Sequence, residues 1–99
     1  MGYYSSYEII DTDFDLVELK DILGEYTNYP FSVYDGALRS SGTYKWYYWK
    51  DDLAKITADY PGKFIEIERI GEESPDMERG LAKDGVVTSV TPELIWPEY

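Results

Sequence analysis

Glu18, Asp21 and Glu25 stand three and four residues apart in the sequence. On a helix that spacing puts three carboxylates on one face, with neighbours on the order of 5–6 Å apart. Asp13 and Asp15 extend the row toward the helix start. Fixed anions in a line, spaced roughly like successive phosphates, can imitate a nucleic-acid strand and compete for a groove lined with Lys and Arg. The ordinary alternative is a solvated helix face whose acids favour solubility and suit the helix dipole. A second acidic group, Glu72, Glu73, Asp76 and Glu78, flanks a Gly-Glu-Glu-Ser-Pro turn. Oxygen ligands of that kind suit a divalent cation, but the spacing is not that of a calcium loop, and a solvated turn is the favoured reading. No metal and no cofactor is expected. Glu66 and Glu68 share a face through strand alternation alone, which is too little to argue acid–base catalysis.

The residues that are missing narrow the chemistry further. The 99 residues include no His and no Cys. This excludes disulfides, zinc-finger sites, Cys or Ser-His nucleophiles and a His general base. Twenty acids against nine Lys and Arg give a formal charge of -11, which argues against direct binding to a phosphate backbone. The acids cluster. Residues 1–35 hold eight of them (Glu8, Asp11, Asp13, Asp15, Glu18, Asp21, Glu25 and Asp35) against Lys20 alone. Eleven Tyr and three Trp supply the residue types that anchor protein interfaces.

The elements that must position these groups follow from periodicity. Tyr3 to Ile10 alternates as a strand with one packed face. Residues 15–26 carry an apolar stripe of Leu16, Leu19, Ile22, Leu23 and Tyr26 at the helical period. Asp13 or Asp15 is the candidate cap, with Glu18 completing a capping box. Phe31 and Val33 begin a strand, and Asp35-Gly36 and Ser40-Ser41-Gly42 are turn chemistry. The aromatic run from Thr43 to Trp49 reads as a strand, with Tyr44, Trp46 and Tyr48 facing one way and Lys45, Tyr47 and Trp49 the other. A short helix follows, capped by Asp51, carrying Leu53, Ile56 and Tyr60 and stopped by Pro61-Gly62. Lys63 to Ile70 is a strand. Residues 76–83 and 86–90 flank Asp84-Gly85, a strong hairpin signal. The order is β-α-β-α-β-β-β, with room for one more strand before Thr43. It predicts an α+β two-layer sandwich, two helices on a mainly antiparallel sheet with a C-terminal hairpin. Residues 1–91 form the domain, and the tail 92–99 is expected to dock on it through Leu94, Ile95 and Trp96. An exposed strand edge could pair two copies.

Lys45-Trp46-Tyr47, then Tyr60-Pro61, then Gly71-Glu72-Glu73-Ser74-x-Asp76 and Asp84-Gly85 resemble a pattern that recurs in small phage and prophage proteins grouped with the YubB ferredoxin-like domain. The resemblance runs from residue 1 to about residue 88. It implies a ferredoxin-like sheet and a phage or mobile-element origin, and no particular activity. The chain departs from the pattern at Glu78, where relatives carry an aromatic, and in being more acidic.

The expected function is therefore non-catalytic. The chain would act in the host cytoplasm as an inhibitor that binds a host nucleic-acid-binding or defence protein, in the manner of an anti-CRISPR. Asp13, Asp15, Glu18, Asp21 and Glu25 would mimic a nucleic acid, and Glu72, Glu73, Asp76 and Glu78 would form a second surface. The alternative is an interaction module that uses an aromatic sheet face or the tail, with acidity serving solubility only.

Overall fold

A computed structural model describes residues 4–72 and 76–91. Glu73 and the proposed docking of the tail 92–99 lie outside the described residues. Eight elements follow one another: β1 (Ser5–Thr12), α1 (Leu16–Tyr26), β2 (Phe31–Tyr34), β3 (Ala37–Ser40), α2 (Trp49–Asp59), β4 (Phe64–Gly71), β5 (Met77–Lys83) and β6 (Val86–Val90). The strands form one sheet in the order β2-β3-β1-β4-β5-β6, and every neighbouring pair is antiparallel. The extra strand before Thr43 is β3.

Local chemistry explains most of these elements. Asp15 caps α1, its Oδ1 accepting from the N–H groups of Val17 at 3.0 Å and Glu18 at 3.1 Å, so two of the free donors of the first turn are satisfied. Asp35-Gly36 and Asp84-Gly85 both have positive φ at each residue. That is the backbone a two-residue type I′ hairpin needs, and Gly reaches it without steric cost. The last turn is also tied to α2, since Gly85 N–H donates to Thr57 Oγ1 at 3.0 Å.

Register puts one row of small and apolar residues under the helices: Leu38 opposite Ile9, Ile9 opposite Ile67, and Ile67 opposite Gly80. Trp49 lies directly on Gly80, where a Cβ would meet the indole at 2.6 Å. These residues join Tyr7, Phe14, Leu19, Leu23, Phe31, Trp46, Leu53, Ile56 and Ile65 in one core. The next row faces away from the helices and crosses the sheet as Ser32, Arg39, Glu8, Glu68, Arg79 and Val90. Arg39 pairs with Glu8 at 2.5 Å and Arg79 with Glu68 at 3.0 Å. Each of the two facing glutamates thus has its own arginine.

Two expectations are corrected. Residues 43–49 are not a strand. Only Tyr44 forms a β-bridge, to Ser5, and the chain then turns into α2. Burial shows why: Trp46 and Trp49 are both in the core while Tyr47 and Tyr48 are both exposed, a spacing of three rather than an alternation. Trp46 stacks edge-on against Tyr7 and Phe31, and its Nε1–H donates to Asp52 Oδ2 at 2.6 Å, so aromatic packing and one buried N–H hold the segment without a ladder. The second correction concerns the start of α2. The helix begins at Trp49 with Tyr48 at the cap position and no side-chain cap bond, because seating Trp49 on Gly80 starts the helix two residues before Asp51.

Candidate functional site

Of the nine carboxylates predicted to form a surface, eight are described, and five of these are engaged by the chain's own groups. Asp13 accepts from the Phe64 N–H at 2.8 Å, closing the gap between the end of β1 and the start of β4. Asp15 is the α1 cap. Glu72 accepts from the Tyr4 N–H at 2.7 Å. Asp76 and Glu78 surround Arg69. Its guanidinium meets Asp76 with two nearly parallel bonds of 2.9 and 3.2 Å, reaches Ser5 Oγ at 3.0 Å and contacts Glu78 at 3.4 Å. Lys50 of α2 closes on the other oxygen of Glu78 at 2.8 Å.

The centre of this cluster is shielded, while Asp76 and Lys50 at its rim stay partly exposed. The side chains of Arg69 and Glu78 retain 16% and 15% of their exposure. The hydrogen bond from Arg69 to Asp76 raises the guanidinium's pKa, against the opposing effect of burial. Burial pushes the Glu78 carboxyl up, but hydrogen bonds from Lys50 and Ser89 and the charges of Lys50 and Arg69 outweigh it and leave the pKa lowered. Asp76 and Glu78 of the second proposed surface therefore belong to a structural clamp where β4 meets β5. Alternation could have revealed Arg69 as its hub, since the residue continues the inward face of Ile65 and Ile67, and a charge on such a face needs a counter-ion.

Glu18, Asp21 and Glu25 differ. All three are exposed, and none has an ion pair or side-chain acceptor bond among the described residues. The opposite side of α1 holds Leu19, Ile22 and Leu23 in the core, so the acidic face is fixed outward. Asp21 and Glu25 border a shallow groove completed by Lys20, Gly24, Pro30 and Phe31, and Asp11 and Asp35 are also exposed on the β1-α1-β2 part of the chain.

A second surface was not foreseen. Tyr26, Tyr29, Tyr47 and Tyr48 line an open cleft of about 400 Å³ with Asp52 and Lys55. Tyr47 is 61% and Tyr48 72% exposed. At its edge Tyr26 O–H donates to Asp59 Oδ2 at 2.5 Å, and this bond pushes the Tyr26 pKa up to about 12. The aromatics needed for this cleft are plain in the sequence. The turn that gathers them is not.

The uncovered sheet face is no base-stacking platform, because its central strands present Glu8, Glu66 and Glu68, which would repel phosphate. Among the described residues no three His, Cys, Asp or Glu side chains converge as a cation site, and no helix is long and apolar enough to cross a membrane. No family model, no curated protein and no solved structure matches the chain.

Proposed function

We propose that this chain is a non-catalytic inhibitor of phage type, which holds a host nucleic-acid-binding or defence protein through the acidic face of α1. One contrast carries the proposal. The chain uses its own Arg and Lys to neutralise Glu8, Glu68, Asp76 and Glu78, yet leaves Glu18, Asp21 and Glu25 open. A row of carboxylates on one helix face, with no ion pair among the described residues, repels itself by about 0.2–0.5 kcal/mol per neighbouring pair, and a basic groove on a partner would relieve that repulsion and release the partner's bound ions. Glu18, Asp21 and Glu25 are the contact residues proposed.

The finer fold assignment is ferredoxin-like. The run β1-α1-β2-β3-α2-β4 has the β-α-β-β-α-β order of that fold, and β5 and β6 extend the sheet beyond β4. This supports the resemblance to YubB-type phage proteins and, with it, a mobile-element origin and action inside a host cell.

The test captures bacterial proteins on the immobilised full chain and then asks whether soluble chain displaces labelled duplex DNA from what was captured. Capture should fall steeply between about 50 and 200 mM salt, and Glu18→Lys with Asp21→Lys should abolish both capture and displacement. Capture that survives the double charge reversal would refute the proposal. The exposed Tyr47 and Tyr48 favour a second reading, a salt-tolerant aromatic interface at the tyrosine cleft, which Tyr48→Ala would abolish and the charge reversal would spare.

A further inference from the structure

The two edges of the sheet are unequal. The β2 edge is short, follows Pro30, and runs beside the groove lined by Asp21 and Glu25. A second chain approaching there meets the most acidic part of the molecule. The β6 edge reads Val86-Val-Thr-Ser-Val90. It has no charge, no Pro and no bulge, the devices that usually guard an open edge. Val86 and Val90 are 63% and 68% exposed.

The register also shows which groups are unused. Lys83 and Val86 flank the two-residue Asp84-Gly85 turn, so they form a hydrogen-bonded pair, and Val86, Thr88 and Val90 direct their main-chain groups at β5. Val87 and Ser89 therefore direct theirs outward, and no strand lies beyond β6 among the described residues.

We propose that β6 pairs with β6 of a second copy, antiparallel about a two-fold axis at Thr88, making one continuous sheet of two copies. The strand is self-complementary in this register. Val87 of one copy exchanges both main-chain bonds with Ser89 of the other, and the symmetric pair does the same, so the outward groups of both residues are satisfied. Val86 falls opposite Val90 of the other copy on the open face, bringing four exposed valines into two apolar cross-strand pairs. Thr88 meets its own symmetry mate in a non-hydrogen-bonded pair, with Cα atoms about 4.5 Å apart. Charge selects this edge over β2. Joined at β6, two copies of a -11 chain keep their α1 faces at opposite ends of a sheet roughly 50 Å across, from twelve strands at about 4.8 Å. A five-residue edge buries less than the roughly 1,200–2,000 Å² of a stable interface, so the affinity expected is weak, with Kd on the order of tens of micromolar.

Analytical ultracentrifugation of the full chain from about 5 to about 300 µM tests this directly. The mass should rise from 11.5 kDa toward twice that value. Thr88→Lys puts two like charges at the axis and should weaken association at least about tenfold, as should Thr88→Glu, with circular dichroism unchanged for both because Thr88 is exposed. An equimolar mixture of the two variants should recover the dimer. A mass of 11.5 kDa throughout, a dimer untouched by Thr88→Lys, or a mixture that stays monomeric would each overturn the proposal. None of these results bears on the α1 face, which lies at the other end of the sheet.

Discussion

Carboxylates on α1 and at the β4–β5 edge have the same chemistry and opposite surroundings. Glu18, Asp21 and Glu25 stand exposed to water and form no ion pair among the described residues, although Lys20 lies along the same groove. Asp76 and Glu78 close on Arg69 and Lys50. The difference comes from how neighbours are chosen. On a helix surface the neighbours of a side chain are its own residues three and four away, and on α1 those are acids. In a sheet they come from other strands, and register puts Glu78 directly opposite Arg69. One arrangement stores repulsion at the surface and the other consolidates the fold. Removing charge should therefore have opposite consequences in the two regions.

The largest effect is expected at the clamp. Arg69→Ala leaves Asp76 and Glu78 without their shared counter-ion in a mostly shielded position. It should cost about 2–3 kcal/mol in urea unfolding, below the full range for a buried pair because solvent still reaches the cluster. A loss under about 0.5 kcal/mol would mean the clamp is no more than a surface ion pair.

Glu78→Gln comes next, at about 1–2 kcal/mol, and it carries a pH signature. In the folded state the Glu78 carboxyl titrates below its ordinary value of 4.5. Its contribution is complete above that pH and disappears as pH falls through the lower folded value. Thermal melts should show the wild type losing stability in that acid window more steeply than Glu78→Gln, with the two curves converging at the acid end. Parallel curves would remove Glu78 from the account.

Asp15→Ala should cost about 1 kcal/mol through loss of the α1 cap, whereas Asp15→Asn or Asp15→Ser should be nearly neutral. That pair of variants separates an acid kept for its hydrogen bonds from those kept for charge. The smallest stability effect belongs to the open row. Glu18→Lys with Asp21→Lys should change stability by no more than about 0.5 kcal/mol while abolishing partner capture. A large loss of stability there would end the contrast between the two regions.

Much of the fold was legible because its signals are local. The α1 stripe needs only Leu16, Leu19, Ile22 and Leu23 at the helical period, and each Asp-Gly pair needs only its own backbone freedom. The acidic row was equally legible, since Glu18, Asp21 and Glu25 are neighbours along one helix. The roles of Asp13 and Glu72 were not. Their acceptors serve the N–H groups of Phe64 and Tyr4, 51 and 68 residues away in the chain. The aromatic run misled because residues with high strand propensity fit a half-buried surface of any kind. Trp46 and Trp49 found that surface by turning around the chain end of β1 and onto Gly80.

By itself the sequence determined the helix stripes, the two hairpin turns, the excess of negative charge and its concentration before residue 36, because each depends on residues close together or merely counted. Only the tertiary structure decided which acids meet a base and which strands lie at the edges of the sheet among the described residues. Strand order and register bring together residues such as Ser5 and Arg69 that are 64 positions apart, and a one-residue slip in that register would turn Arg69 to the opposite face of the sheet.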